Sequence, residues 1–183
     1  MKNFISGSAT AMITPFYDDG GINFDSFGEM IEYQIENGTD ALVVLGTTGE
    51  PATMTEDEKI AVMKFAKERV AGRVKLIFGT GSNSTAKAVA ATKRAEELGA
   101  DGVLAVTPYY NKCTQKGIVE YYKAICEATS LPVIAYNVPP RTGVNIMPAT
   151  AEELSYIPNM AGIKEACGNM EQICETMRRI RPR

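Results

Sequence analysis

The chain has 183 residues, of which 45% are hydrophobic and 22% are charged, and its formal net charge is -3. This balance supplies one sizeable core and excludes the strongly basic surface that nucleic-acid-binding domains use. The chain contains no histidine. That excludes Ser-His-Asp and Cys-His catalysis as well as a histidine-ligated metal site. Acid–base work would therefore fall to tyrosine, lysine, aspartate, glutamate or a substrate group.

Neither the cysteines nor the N-terminal segment indicates an oxidising or membrane environment. Cys113, Cys126, Cys167 and Cys174 form no C-x-x-C pair, which predicts free thiols in a reducing compartment. The N-terminal segment lacks the apolar core of a signal peptide, and the chain has no run of 18 apolar residues. We therefore expect a cytoplasmic protein that neither enters a membrane nor binds nucleic acid.

Apolar runs alternate with helical patterns at a period of about 30 residues, the length of one strand–helix unit. Six buried strands are predicted, at Ala9–Ile13, Ala41–Leu45, Lys75–Phe78, Gly102–Val106, Val133–Tyr136 and Ala161–Lys164. The predicted helices begin near Phe24, Thr55, Thr85, Gln115, Thr150 and Asn169. Capping boxes at Thr55–Glu58 and Thr150–Glu153 mark two of these starts, and Gly38 and Gly99 end two helices.

Six alternating units predict a parallel sheet with right-handed crossovers. Both an open doubly wound sheet and a (β/α)8 TIM-type barrel fit this pattern. No G-x-G-x-x-G or Walker motif supports nucleotide binding, and polar, glycine-rich clusters after the strands favour the barrel. A complete barrel needs about 250 residues. We therefore expect residues 1–183 to form one incomplete barrel domain that lacks the last two units and a C-terminal helical region.

Lys164 ends the sixth apolar run, where a buried strand would open into the catalytic mouth of a barrel. A lysine that loses hydration there has a lowered pKa, and its neutral amine can attack a ketone to form a Schiff base. The alternative is a lysine that caps a sheet edge and reaches solvent.

The loop Gly46-Thr47-Thr48-Gly49-Glu50 follows the second predicted strand. Its glycines allow close approach of a ligand, and its hydroxyl and N–H groups suit a carboxylate. An ordinary glycine-rich turn explains the same residues. Glu50 and Glu165 are expected to be structural hydrogen-bonding partners at strand ends.

Tyrosines and an arginine lie close to other strand ends on the same predicted face. Tyr109, Tyr110 and Tyr136 could shuttle protons in a chain without histidine, although tyrosines also fill cores. Arg141 lies in a Pro-Pro-Arg-Thr-Gly turn and could bind a carboxylate with two hydrogen bonds. It could equally be a surface arginine.

The motifs GTTGE, TPYYNK, YNVPPRTG and GIKEA occur in this order along the chain. Together they resemble the dihydrodipicolinate synthase family of the class I pyruvate aldolases, a superfamily that includes N-acetylneuraminate lyase. The resemblance extends over all 183 residues. It implies a lyase that condenses pyruvate with L-aspartate 4-semialdehyde to 4-hydroxy-tetrahydrodipicolinate in lysine and diaminopimelate biosynthesis.

The resemblance also implies a role for each matching residue. Lys164 would form the imine with pyruvate, without any cofactor, and Tyr136 would be the acid–base group beside it. Thr47 and Tyr110 would complete a proton relay, with the tyrosine reaching across from a neighbouring subunit. Thr48 would hold the pyruvate carboxylate, and Arg141 would receive the carboxylate of the aldehyde.

Assembly and regulation follow from the same resemblance. It implies a homo-oligomer, a tetramer built from tight dimers. Lys87 stands where lysine-inhibited members carry a glutamate, so we expect weak or absent feedback inhibition by lysine. Two alternatives stay open from the sequence: another class I pyruvate aldolase, or a noncatalytic barrel fragment in which the site is not assembled.

Overall fold

In the computed structural model, which describes residues 4–180, six strands form one parallel sheet in the order β1 to β6. The strands are β1 (Ala9–Ala11), β2 (Ala41–Val44), β3 (Lys75–Gly79), β4 (Gly102–Val106), β5 (Val133–Asn137) and β6 (Met160–Glu165). Each strand pairs with the next one along the chain. An open doubly wound sheet would reverse its strand order at a switch point. The observed order is that of six consecutive strands of a (β/α)8 barrel, as predicted.

Helices connect the strands and follow the last one. They are α1 (Phe24–Glu36), α2 (Glu56–Val70), α3 (Thr85–Glu97), α4 (Gln115–Glu127), α5 (Pro139–Thr142), α6 (Pro148–Leu154) and α7 (Met170–Arg179). Short 3-10 helices cover Thr47–Gly49 and Pro51–Thr53. The sequence did not predict these two turns or α5. Proline at the first turn of α5 and of the second 3-10 helix fixes φ at a helical value and explains where they start.

The two predicted capping boxes have opposite outcomes. The Thr55–Glu58 box is present at the start of α2, where each residue caps the other. The Thr150–Glu153 box is wrong, because α6 already begins at Pro148 and Thr150 lies inside its first turn. The Thr150 hydroxyl instead donates a hydrogen bond to Gln115 Oε1 at 2.5 Å.

A repeated device joins the ends of helices to the starts of strands. Gly38 and Gly99 follow α1 and α3 with φ values of 82° and 78°, a left-handed conformation that glycine adopts without strain. Two residues later, Asp40 and Asp101 each accept a backbone N–H of the preceding strand segment, at 2.7 and 2.9 Å. These carboxylates tie neighbouring strands together at the amino-terminal edge of the sheet.

The two faces of the sheet are covered differently. Successive side chains of a strand point to opposite faces. The outer face packs beneath the helices in the main core, which includes Leu42, Leu76, Phe78, Val103 and Val133. The inner face carries a smaller cluster of Ala41, Val43, Ile77, Leu104, Tyr136 and Val138. A groove of about 940 Å³, called the inner groove here, runs along this face to β6.

The sixth strand is less buried than predicted. Only Met160 is buried, Ala161 and Lys164 are exposed, and the other three residues of β6 are half-buried. Among residues 4–180, β6 pairs only with β5 and stands at the end of the sheet. A strand with one neighbour leaves one edge and part of each face open.

Candidate active site

A second groove opens at the carboxyl ends of the strands and is called the loop groove here. It has a volume of about 760 Å³. Its walls come from the segments that follow β2 to β5 and include Gly46, Thr47, Ser82, Tyr109, Tyr136 and Arg141. Leu104 lines both this groove and the inner groove, so the two cavities adjoin. The site is therefore built at the strand ends where barrel enzymes bind their substrates.

Lys164 and Tyr136 lie side by side where the two grooves adjoin. They are register partners in the β5–β6 pair, which places both side chains on the inner face. The Lys164 Nζ lies 4.3 Å from the centroid of the Tyr136 ring. Tyr136 is only 7% exposed, so the ring is a fixed wall for the amine.

The surroundings of Lys164 raise the neutral fraction of its amine. Desolvation lowers the pKa of the amine from 10.5, although the side chain as a whole is exposed. No carboxylate within the described part of the chain pairs with Nζ, and a paired carboxylate would have stabilised the charged form. A larger neutral fraction makes the amine a better nucleophile toward a carbonyl carbon.

The glycine–threonine loop packs tightly beneath the loop groove. Thr47 and Thr48 are both exposed, but only Thr47 lines the groove. Gly46 and Gly49 are buried. The Gly49 carbonyl accepts a hydrogen bond from Thr14 Oγ1 at 2.8 Å. A Cβ added at Gly49 would lie 3.2 Å from the same Thr14 Oγ1. A larger residue at this position would push the loop away from β1.

Both flanks of this loop hold strained backbone. Leu45 and Glu50 adopt φ values of 57° and 55°, a left-handed conformation that costs a residue with a side chain about 1–2 kcal/mol. Such outliers concentrate at functional sites, where the surrounding structure enforces them. The strain supports a functional interpretation of the loop over the alternative of an ordinary turn.

The two neighbouring tyrosines after β4 point to different places. Tyr109 lines the loop groove. Tyr110 lines neither groove, is 85% exposed and has a φ of 76°. Its N–H donates to the Thr142 carbonyl at 3.3 Å, which ties this turn to α5. Of the two, only Tyr109 lines the groove of its own chain, and the role of Tyr110 in a neighbouring subunit stays a prediction.

Arg141 lies on α5 at the rim of the loop groove. Its side chain is exposed and forms no ion pair with any carboxylate of residues 4–180. A guanidinium group without a protein partner remains available for a planar carboxylate. The proline-rich turn was predicted, but its helical form was not.

Two contributors to the site had no signal in the sequence. Tyr121 on α4 accepts the Ser82 N–H at 3.1 Å and donates to the Val106 carbonyl at 3.2 Å, which joins two loops of the groove. Burial raises the pKa of its hydroxyl, so it stays protonated. The second is Asn137, which follows Tyr136. Its amide donates hydrogen bonds to the carboxylate of Glu165, so Glu165 is a structural hydrogen-bonding partner at a strand end, as predicted.

The side of the loop groove formed by α2 and α3 carries three basic side chains and the carboxylate of Glu56. Lys59, Lys87 and Arg94 line it, and the only one of the three in an ion pair is Lys59, with Glu56 at 2.8 Å, among the residues described. Lys87 lies in the first turn of α3, as the sequence predicted.

No group of three histidine, cysteine, aspartate or glutamate side chains in the described ranges could hold a metal ion. No helix within residues 4–180 has the length and apolar character that a membrane crossing requires.

The sequence model of the dihydrodipicolinate synthetase family matches residues 4–183. The chain belongs to this family. A 4-hydroxy-tetrahydrodipicolinate synthase of Caldicellulosiruptor saccharolyticus is 54% identical over 169 residues, which cover 92% of this chain and 57% of that protein. The chain spans about three fifths of the length of such relatives.

Solved structures agree with this membership. A dihydrodipicolinate synthase of Thermotoga maritima superposes with a TM-score of 0.94 at 46% identity, covering 97% of this chain and 60% of its own. A lysine-bound enzyme of the same family from Cyanidioschyzon merolae superposes with a TM-score of 0.94 at 41% identity. The match covers 98% of this chain and 62% of that enzyme. At this similarity, the six-stranded sheet corresponds to part of the family's barrel.

Proposed function

We propose that the protein is a Schiff-base-forming lyase that condenses pyruvate with L-aspartate 4-semialdehyde to 4-hydroxy-tetrahydrodipicolinate, for lysine and diaminopimelate biosynthesis in the cytoplasm. The contact between the Lys164 amine and the Tyr136 ring carries the proposal, because it joins a nucleophile of lowered pKa to a fixed acid–base group. Curated relatives that are 54% and 51% identical to this chain bear the name of this enzyme, and their similarity supports the same reaction here.

The reaction begins with attack of the neutral Lys164 amine on the keto carbon of pyruvate. Tyr136 donates a proton to the hydroxyl group of the addition product. That hydroxyl leaves as water, and a protonated imine remains. Tyr136, left as a phenolate, takes a methyl proton, and the iminium nitrogen accepts the electron pair, which forms an enamine.

The enamine carbon attacks the aldehyde carbon of the second substrate, and the aldehyde oxygen takes the proton back from Tyr136. The amino group of that substrate then attacks the iminium carbon and displaces the Lys164 amine, which closes the ring and frees the product. Each positioned proton transfer contributes about 10²–10⁴-fold to the rate.

The remaining residues are assigned to binding and proton relay. Thr47 continues the relay from Tyr136, and Thr48 binds the pyruvate carboxylate together with the backbone at Gly46 and Gly49. Arg141 receives the carboxylate of aspartate semialdehyde. No metal or organic cofactor takes part.

Tyr110 is proposed to complete the relay in a neighbouring subunit. Its exposure and its left-handed backbone suit a side chain that is held outward for a partner. The protein is accordingly proposed to work as a homo-oligomer, a dimer or tetramer.

The test is to incubate the chain with pyruvate and borohydride, and then to map the modified peptide by mass spectrometry. We expect one reduced pyruvyl adduct, on Lys164. Lys164→Met should abolish it, whereas the matched variant Lys123→Met, at a half-buried position on α4 where the amine pairs with Glu120, should leave it unchanged. No adduct on the unaltered chain, or an adduct on another lysine, contradicts the Schiff-base assignment.

The choice of aldehyde is tested at Arg141. We expect Arg141→Ala to leave pyruvate trapping intact and to reduce consumption of aspartate semialdehyde. An unchanged rate with that aldehyde would indicate another pyruvate aldolase of the superfamily. Failure of both reactions in the unaltered chain would favour the noncatalytic alternative.

Regulation is proposed to be weak. The ammonium group of free lysine would meet Lys87 and Arg94 in the loop groove, where like charges repel. Sub-millimolar lysine should leave the trapping rate unchanged. Inhibition at that concentration contradicts this part of the proposal.

A further inference from the structure

A fully buried carboxamide lies directly behind the Tyr136–Lys164 pair. Asn137 is 0% exposed. Its Nδ2 donates to Asn145 Oδ1 at 2.8 Å and to both oxygens of Glu165 at 3.0 Å. Its Oδ1 accepts the Ile146 N–H at 2.9 Å. A carboxylate only accepts and a backbone N–H only donates, so these neighbours fix the orientation of the amide.

Glu165 completes the link between the two strand ends. It follows Lys164 directly and is the register partner of Asn137. Its Oε1 also accepts the Cys167 N–H at 2.7 Å. The backbone adds a further bond, from the Ala166 N–H to the Asn137 carbonyl at 2.8 Å. Hydrogen bonds to an ionised acceptor are roughly twice as strong as neutral ones, so the Glu165 carboxylate binds the end of β5 firmly to the end of β6.

The network continues to the next helix and to the arginine turn. Asn145 Nδ2 donates to Gln172 Oε1 at 2.7 Å, and Gln172 Nε2 donates back to Asn145 Oδ1 at 3.1 Å. Gln172 lies in the first turn of α7. The segment that follows Arg141 is thereby joined to the helix that follows Lys164.

The position of β6 explains why such a link is needed. Within the described residues, β6 has hydrogen-bonded contact with β5 alone, and strands with few partners open locally at low free-energy cost. Side chains alternate along a strand, so Asn137 and Glu165 point away from the face that carries Tyr136 and Lys164. The network therefore holds the strand ends from behind without occupying the site.

We propose that Asn137 and Glu165 form a positioning clamp that sets the Lys164 amine against the Tyr136 ring and keeps it partly desolvated. The inference rests on the proposed function, since the clamp would act through imine formation at Lys164. Neither residue touches the reacting atoms, so both are positioning residues. Misplacement of a reacting group by about 1 Å can cost on the order of 100-fold in rate.

The first test is the pKa of Lys164, measured by competitive acetylation with acetic anhydride across a pH series. Glu165→Gln keeps the shape of the side chain and removes its charge. If the carboxylate acted only as a nearby charge, its loss would lower the pKa of Lys164 further. If it positions the strand, its loss lets water reach the amine and raises the pKa. We expect the rise, and a fall or an unchanged value overturns the clamp.

A matched control removes the same charge elsewhere. Glu97 is exposed at the end of α3, and Glu97→Gln should leave the pKa of Lys164 unchanged. The acetylation needs no pyruvate, so it tests the clamp even if Lys164 forms no imine. Absence of a pyruvyl adduct on the unaltered chain contradicts the proposed function alone.

The second test exchanges the two functional groups. Asn137→Asp sets a carboxylate against Glu165 and should slow pyruvate trapping roughly 10- to 100-fold at saturating pyruvate. Adding Glu165→Gln restores an amide–carboxylate pair in the opposite sense and should recover most of the rate. Circular dichroism checks that each variant is folded. A double variant as slow as Asn137→Asp, or a single variant as fast as the unaltered chain, contradicts the clamp.

Discussion

The two faces of the sheet are built from the same strands but differ in how they are covered. The outer face is closed by helices, and side chains such as Leu76 and Phe78 are fully buried there. The inner face is open along one groove, and Lys164 on this face lies in the strand at the end of the sheet. Stability of the described chain therefore depends mainly on the outer face. The inner face can hold a reactive amine because little of the core depends on it.

The largest expected effect separates chemistry from packing on the inner face. Tyr136→Phe keeps the buried ring but removes its hydroxyl, so the free energy of unfolding should change little. Pyruvate trapping at Lys164 should slow about 10²–10⁴-fold, because a positioned proton donor is lost. The control is Tyr33→Phe, at an exposed position on α1. A trapping rate equal to that of the control would remove Tyr136 from the acid–base role.

The next prediction compares one substitution on both faces. Leu76→Ala empties a site in the closed core and should lower the free energy of unfolding by about 2–5 kcal/mol. Leu104→Ala should cost less, because Leu104 borders both grooves and water can fill the space it leaves. Urea unfolding followed by circular dichroism measures both. A cost at Leu104 as large as at Leu76 would mean that the inner face also carries the stability.

The sequence predicted the fold because each strand is a local apolar run between turn residues, and such runs differ from helical patterns in period. It predicted that Lys164, Tyr136, Thr47 and Arg141 lie at strand ends on one face, since parallel strands bring their carboxyl ends together, and in the structure these residues line the two adjoining grooves. It missed features that depend on the neighbours of a residue. Asn137 is polar and ends a strand, and nothing local distinguishes it from a turn residue.

Other differences have the same origin. The exposure of β6 follows from its position at the end of the sheet. An apolar run in the sequence does not show whether the strand has one neighbour or two. The Thr150–Glu153 box failed because Pro148 competes as a helix start and fixes the first turn earlier. Composition and spacing alone do not separate Tyr109 from Tyr110, whereas in the structure Tyr110 has a left-handed backbone and Tyr109 does not.

The smallest expected effect lies on α7, on the outer side of β6. Hydrogen bonds from Arg178 and Arg179 lower the pKa of Glu175 from 4.5 to about 2. The folded value is below the unfolded one, so the pair stabilises the fold above pH 4.5 and this stabilisation is lost as the pH falls toward 2. Glu175→Gln should therefore unfold slightly more easily at pH 7, and the difference from the unaltered chain should disappear near pH 2. The effect is small because the carboxylate is solvent-screened.

That variant also tests the division of work between the faces. A charge removed from the outer side of α7 should change stability alone, so thermal melts should shift while pyruvate trapping at Lys164 keeps its rate. The comparison is sharp because Gln172, on the same helix, is hydrogen-bonded to Asn145 and so joins the network around the clamp, whereas Glu175 does not. A trapping rate that falls with Glu175→Gln would show that the position of α7 as a whole, and not the hydrogen bonds of Gln172, controls the amine. The clamp would then extend over the outer layer, and the two faces would not be separable.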